Sequence, residues 1–146
     1  MQFDNIDALG TLHLVLRDET GAIKSEFSTK NLVVTTGKNF LASRAAGTAQ
    51  AVMSHMAIGS GTVAPVAANT TLGTELGRVG LTSSNVTNNT IQYVATFGAG
   101  VGTGAVTEAG IFNAASAGTM LNRTTFSVIN KSASDTLTIT WNLTLN

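Results

Sequence analysis

The sequence predicts an all-β chain, an antiparallel β-sandwich of jelly-roll-like character with one short helix near residues 37–46. Three observations predict it. At the C-terminus Leu137, Ile139, Trp141, Leu143 and Leu145 alternate with Thr136, Thr138, Thr140, Asn142 and Thr144, the period of two that turns one face of a strand to a core and the other to water. Similar short segments recur at intervals of roughly 8–15 residues with Gly, Asn and Ser turns between them, the spacing of a sandwich or barrel. Only residues 37–46 carry a helical pattern.

In chain order, Leu12, Leu14 and Leu16 alternate with His13, Val15 and Arg17. Asp18 to Gly21 then supplies turn chemistry, and Ile23, Ser25 and Phe27 alternate on the return, so residues 11–29 read as a β-hairpin. Leu32 to Val34 extends the sheet. Thr35 or Thr36 is placed to cap a helix that starts near Gly37, carries Phe40, Leu41 and Arg44 on one side and closes at Gly47. Val52 to Ile58 reads as a strand that ends in Gly59-Ser60-Gly61, before a loop holding Pro65. Leu72 to Arg78 has no clear period and is left as a turn or extended segment. After a turn at Asn88-Asn89, Ile91, Tyr93, Ala95 and Phe97 form one face of a further strand. Gly98 to Gly104 is a loop, followed by strands near 106–112 and 120–128.

Length predicts one core: 146 residues form a single β-sandwich domain over 11–146, with residues 1–10 either an arm laid on a neighbouring subunit through Phe3 and Ile6, or a frayed terminus. The absence of cysteine excludes disulfides and thiolate metal sites and fits synthesis in a reducing cytoplasm. The acidic start, Met1 to Asp7, is unlike a secretory signal, so the six Asn-x-Ser/Thr sequons read as a by-product of Asn and Thr abundance. No run approaches the roughly 20 apolar residues of a membrane helix. Net charge is zero, and between Ala45 and Asn130 the only charged side chains are Glu75, Arg78, Glu108 and Arg123. Such a surface lacks the clustered bases that phosphates require, so neither nucleic acid nor membrane is an expected partner. Nor does it have the interspersed charge of a free monomer, which points to a homo-oligomer, dimer or trimer.

Chemistry-bearing constellations are scarce. His13 and His55 have no metal-ligand companions in sequence, and the Gly98 to Gly104 run lacks the helix and lysine of a phosphate loop. No catalytic residue, metal or cofactor is expected. Glu108 sits among Val106, Ala109, Ile111 and Phe112, and Arg123 among Met120, Leu121 and Phe126, so both are expected to be partly buried. A buried ion needs a partner, so Glu75, Arg78, Glu108 and Arg123 are read as structural ion pairs where loops cross the sandwich. Two convergent carboxylates, Glu75 and Glu108, are the alternative.

Five segments, taken in order, carry a resemblance. They are Asn31-Leu32-Val33-Val34-Thr35-Thr36-Gly37-Lys38, Met56-Ala57-Ile58-Gly59-Ser60-Gly61-Thr62 with Pro65, Leu72-Gly73-Thr74-Glu75-Leu76-Gly77-Arg78, Thr107-Glu108-Ala109-Gly110-Ile111-Phe112-Asn113, and Asp135 to Trp141. Together they resemble small virion proteins of tailed bacteriophages, from about residue 30 onward. Similar elements occur in tail-fibre collar domains, which begin much longer chains. A chain of this size is more similar to a head decoration, or cement, protein. The resemblance implies location in the virion after synthesis in the host bacterial cytoplasm, the major capsid protein or other virion proteins as partners, and no catalytic residue. A tail, neck or fibre-attachment role is one alternative. A carbohydrate-binding module is another, with Tyr93 and Trp141 as the only Tyr and Trp to stack on a sugar, both on expected core faces.

Overall fold

The computed structural model describes residues 6–48 and 50–146, so Phe3 of the expected arm lies outside the described residues. The Thr136–Leu145 strand sits in the middle of a five-stranded sheet, because its alternation gives it one wholly apolar face: Leu137, Ile139, Trp141 and Leu143 are all sealed from solvent. Numbered along the chain, the strands are β1 (Ala8–Arg17), β2 (Ile23–Lys30), β3 (Leu32–Val33), β4 (His55–Gly59), β5 (Glu75–Gly80), β6 (Ser83–Thr87), β7 (Thr90–Phe97), β8 (Gly104–Phe112), β9 (Met120–Lys131) and β10 (Thr136–Leu145), with helix α1 (Thr35–Ala45) after β3. The first sheet runs β2-β1-β10-β7-β6 and the second β3-β9-β8-β4-β5, all neighbours antiparallel.

The two sheets pack as a sandwich, with the β10 row and Leu12, Leu14 and Phe97 on one side and Met56, Ile58, Ile111 and Leu121 on the other. A jelly roll has eight strands in two Greek keys. Here there are ten among the described residues, and β1-β2, β4-β5, β6-β7 and β8-β9 are hairpins within one sheet. The Trp141 indole N–H donates to Asn31 Oδ1 at 3.2 Å, so the largest core side chain keeps its one polar atom satisfied.

Several boundaries move. Helix α1 starts at Thr35, and its N-cap is Val34 in extended conformation with no side-chain cap; Thr36 Oγ1 instead donates to the Met120 carbonyl at 2.8 Å. The start is set by β9, since Val34 is fully buried and a Cβ on Gly37 would overlap the Leu121 carbonyl. The strand expected from Val52 begins at His55, the segment left open near Arg78 is β5, and β6 is an additional edge strand. Residues 8–10 of the expected arm belong to β1. Ala8, Leu9 and Gly10 pair with Leu145, Thr144 and Leu143, and Asp7 exchanges two hydrogen bonds with Asn146, while Ile6 is 82% exposed.

A second, smaller apolar cluster lies on the outer face of the second sheet, where Leu72 packs on Val34, Ala57, Phe112 and Met120. Leu72 belongs to the connection between β4 and β5, residues 60–74, which folds back over that face. It explains why β8 is buried on both sides from Glu108 to Phe112.

Candidate functional site

Strand register gathers the four charged residues of the neutral stretch on this covered face. Arg78 stands opposite Ala57, Ala57 opposite Gly110, and Gly110 opposite Arg123; one row along, Glu75 stands opposite Gly59 and Gly59 opposite Glu108. Between the charges are Ala57, Gly59 and Gly110. Their small side chains leave room for long ionic ones to lie flat under the loop.

Glu108 is fully buried and Arg123 3% exposed. Glu108 Oε1 accepts the Gly73 backbone N–H at 2.6 Å, and Arg123 Nη2 stands 3.5 Å from Oε2. Arg123 Nη1 also donates to Asn69 Oδ1 at 3.1 Å, and the same oxygen accepts the Val66 N–H at 2.9 Å. The carboxylate is enclosed by glycines: a Cβ on Gly61 would overlap it, one on Gly73 would stand 3.1 Å from Oε2, and one on Gly59 would meet the Thr74 carbonyl. Thr107 Oγ1 donates to Gly61 O at 2.7 Å and closes the rim. The pair therefore pins residues 60–74 to the sheet.

Arg78 and Glu75 pin a second loop. The guanidinium binds the Glu75 carboxylate through Nη2 at 2.7 Å and Nε at 3.3 Å, and Nη1 donates to the carbonyls of Ala114 and Ala117 at 3.0 and 2.9 Å. It also lies 3.8 Å over the Phe112 ring, a cation–π contact. Through these bonds Arg78 anchors the β8-β9 loop, where Ala117 and Gly118 take positive φ. Glu75 and Glu108 stand on either side of Gly59, but each carboxylate is bound to an arginine of its own, Arg78 and Arg123, and not to the other.

The histidines are engaged elsewhere. His13 contacts Glu26 and Ser28 at 3.0 Å each, and His55 Nδ1 contacts Ser54 Oγ at 2.8 Å. Among the described residues no three His, Asp or Glu side chains group as metal ligands, and no helix is long and apolar enough to cross a membrane. Tyr93 is 4% exposed and Trp141 fully buried, so neither offers a ring face to a sugar; burial pushes the Tyr93 phenol up to about 12.

Comparison with family models, curated proteins and solved structures gave no match.

Sequence reasoning missed a second buried charged group. Asp135 is 1% exposed and accepts Lys24 Nζ at 2.7 Å and the Ser132 N–H at 2.9 Å, which hold its carboxyl down to about 2. Beside it Lys131 is 2% exposed and donates to the Gly98 carbonyl at 2.8 Å; burial lowers its ammonium below the ordinary range, against the pull of Asp135. The one local signal was the Ser132 to Asp135 turn.

The surface shows apolar ground beside α1. One groove of about 400 Å³ is walled by Ile6, Ala8, Leu41, Ala45 and Leu145. Another of about 490 Å³ runs between Leu41, Val52, Val86 and Ile91.

Proposed function

We propose that this chain is a structural subunit of a tailed-bacteriophage particle, a cement protein that packs on the outside of the head shell and acts by covering its neighbours' surfaces. One observation carries the reading. Every charged side chain between Ala45 and Asn130 is engaged inside the subunit, Glu75 with Arg78 and Glu108 with Arg123, so strands β4 to β8 present no unpaired side-chain charge to the outside. Burying such a surface against another protein leaves no charge without a partner, and each contact adds a small increment that many copies multiply. The apolar grooves on either side of Leu41 and the ordered order of motifs from residue 30 onward support the same reading.

Quantitative mass spectrometry of purified particles tests it. On the order of hundreds of copies per particle is the result expected of a shell-covering subunit, while about a dozen or fewer moves the chain to the tail, neck or fibre attachment, the place the collar-like motifs favour. A chain that never co-purifies with a particle removes both.

A further inference from the structure

We propose that β6 is the seat of a symmetric dimer: two copies of this chain join antiparallel along Ser83–Thr87 and merge their first sheets into one continuous ten-stranded sheet.

The four sheet edges differ in how they are guarded. An open edge offers unpaired N–H and C=O groups, and proteins protect it with charge, proline, bulges or brevity. Strand β2 carries Lys24, Glu26 and Lys30 and a bulge opposite Leu16/Arg17. Strand β3 is two residues long, and β5 carries Glu75 and Arg78 and a bulge beside Gly59. Strand β6 has none of these guards. It is uncharged, free of proline, in unbroken register with β7, and bears Val86 at 70% exposure.

Its backbone is self-complementary. In an antiparallel ladder bonded and non-bonded pairs alternate, and the pair that closes a two-residue hairpin loop is bonded. Thr87 and Thr90 close the Asn88-Asn89 loop, so Asn85 bonds Gln92, and the backbone groups of Ser84 and Val86 face away from β7. A second copy centred on Asn85 sets Ser84 opposite the partner's Val86 and the reverse, using all four outward residues in bonded pairs. The same register meets no like charge, whereas a symmetric pairing along β2 centred on Phe27 would set Lys24 against the other copy's Lys30 at both ends.

Side chains agree with the backbone. Ser84 and Val86 lie on the face of Tyr93 and Ile91, where they border the groove of about 490 Å³ that also holds Leu41 and Val52. Each partner's Val86 arrives at the open side of that groove, so the pairing covers apolar surface as well as the edge. The dimer deepens the packing role proposed above and supplies the two-fold unit with which the subunit would meet its neighbours; the two readings fail separately, because a monomer can still coat a particle.

Sedimentation across a wide concentration range tests it, with oxidation of a single engineered thiol as a second readout, since the chain has no cysteine. Opposed Asn85 residues in a non-bonded pair fall within disulfide range. The intact chain is expected to double its mass with concentration, and Asn85→Cys to form covalent dimers at least about tenfold faster than Ser28→Cys on β2. Val86→Lys and Ser84→Pro, which alter only an exposed side chain and an outward N–H, are expected to be monomeric with unchanged thermal unfolding. A chain that stays monomeric throughout with both thiols oxidising alike overturns the proposal, and so does a dimer that survives both substitutions. Copy number per particle, measured on the same variants, reports separately on the packing role.

Discussion

Arg123 Nη2 stands 3.5 Å from Glu108 Oε2 on adjacent strands, both side chains closed off from water beneath a loop that Glu108 itself holds through the Gly73 N–H. Removing one member of a buried pair leaves the other charged and unpartnered, a cost of about 3–5 kcal/mol. Arg123→Met is expected to lose stability in that range, and Glu108→Gln combined with Arg123→Met to lose clearly less than the sum of the two single changes. Urea unfolding of the three variants checks this, and an Arg123→Met cost below about 1 kcal/mol would show that the pair pins nothing.

Gly61→Ala attacks the same seam without removing a charge. A Cβ there overlaps the Glu108 carboxylate, so the loop must lift, at a cost of about 1–3 kcal/mol. Hydrogen exchange should rise over residues 60–74 and stay unchanged in β10. Uniform exchange across both would place the effect elsewhere.

Asp135 gives an acid signature. Its carboxyl is held down to about 2 from an ordinary 3.8, first by the hydrogen bond from Lys24 and then by the Ser132 N–H. A carboxyl depressed in the folded state stabilises the protein above its unfolded value and loses that contribution as pH falls through the folded one. Stability should therefore drop between about pH 4 and pH 2, more steeply than in Asp135→Asn. Parallel curves for the two proteins over that window would exclude Asp135 as the cause.

Trp141 is the chain's one tryptophan and is fully buried, so native emission should be blue-shifted and move to the red with global unfolding. Trp141→Phe leaves the Asn31 amide oxygen without its donor and is expected to cost about 1–3 kcal/mol, and Trp141→Ala about 3–5 kcal/mol. A loss smaller for the alanine than for the phenylalanine variant would contradict the packing described.

How much of this the residue order revealed depends on where each segment lies. Strand β10 was legible because it is central: a strand buried on one face for its whole length must alternate. Strand β6 was not, because an edge strand with little core behind it feels no such pressure, and Ser83 to Thr87 reads as loop composition. In β5 the alternation is broken by a bulge that lets Leu76 pack inward while Glu75 and Arg78 both face out. Glu108 and Arg123 stood out through their apolar neighbours. Which partner each arginine takes followed from register across three strands, and Asp135 finds Lys24 from the far end of the chain, a pairing no local pattern encodes.

The two hydrogen bonds between Asp7 and Asn146 bring the outer ends of β1 and β10 side by side. Tension drawn between those two points would meet the ladder in zipper geometry, opening its rungs in succession from Ala8·Leu145 inward instead of loading them all in parallel. The subunit is therefore mechanically soft to a pull applied through Asp7 and Asn146, whatever resists it elsewhere in the sandwich.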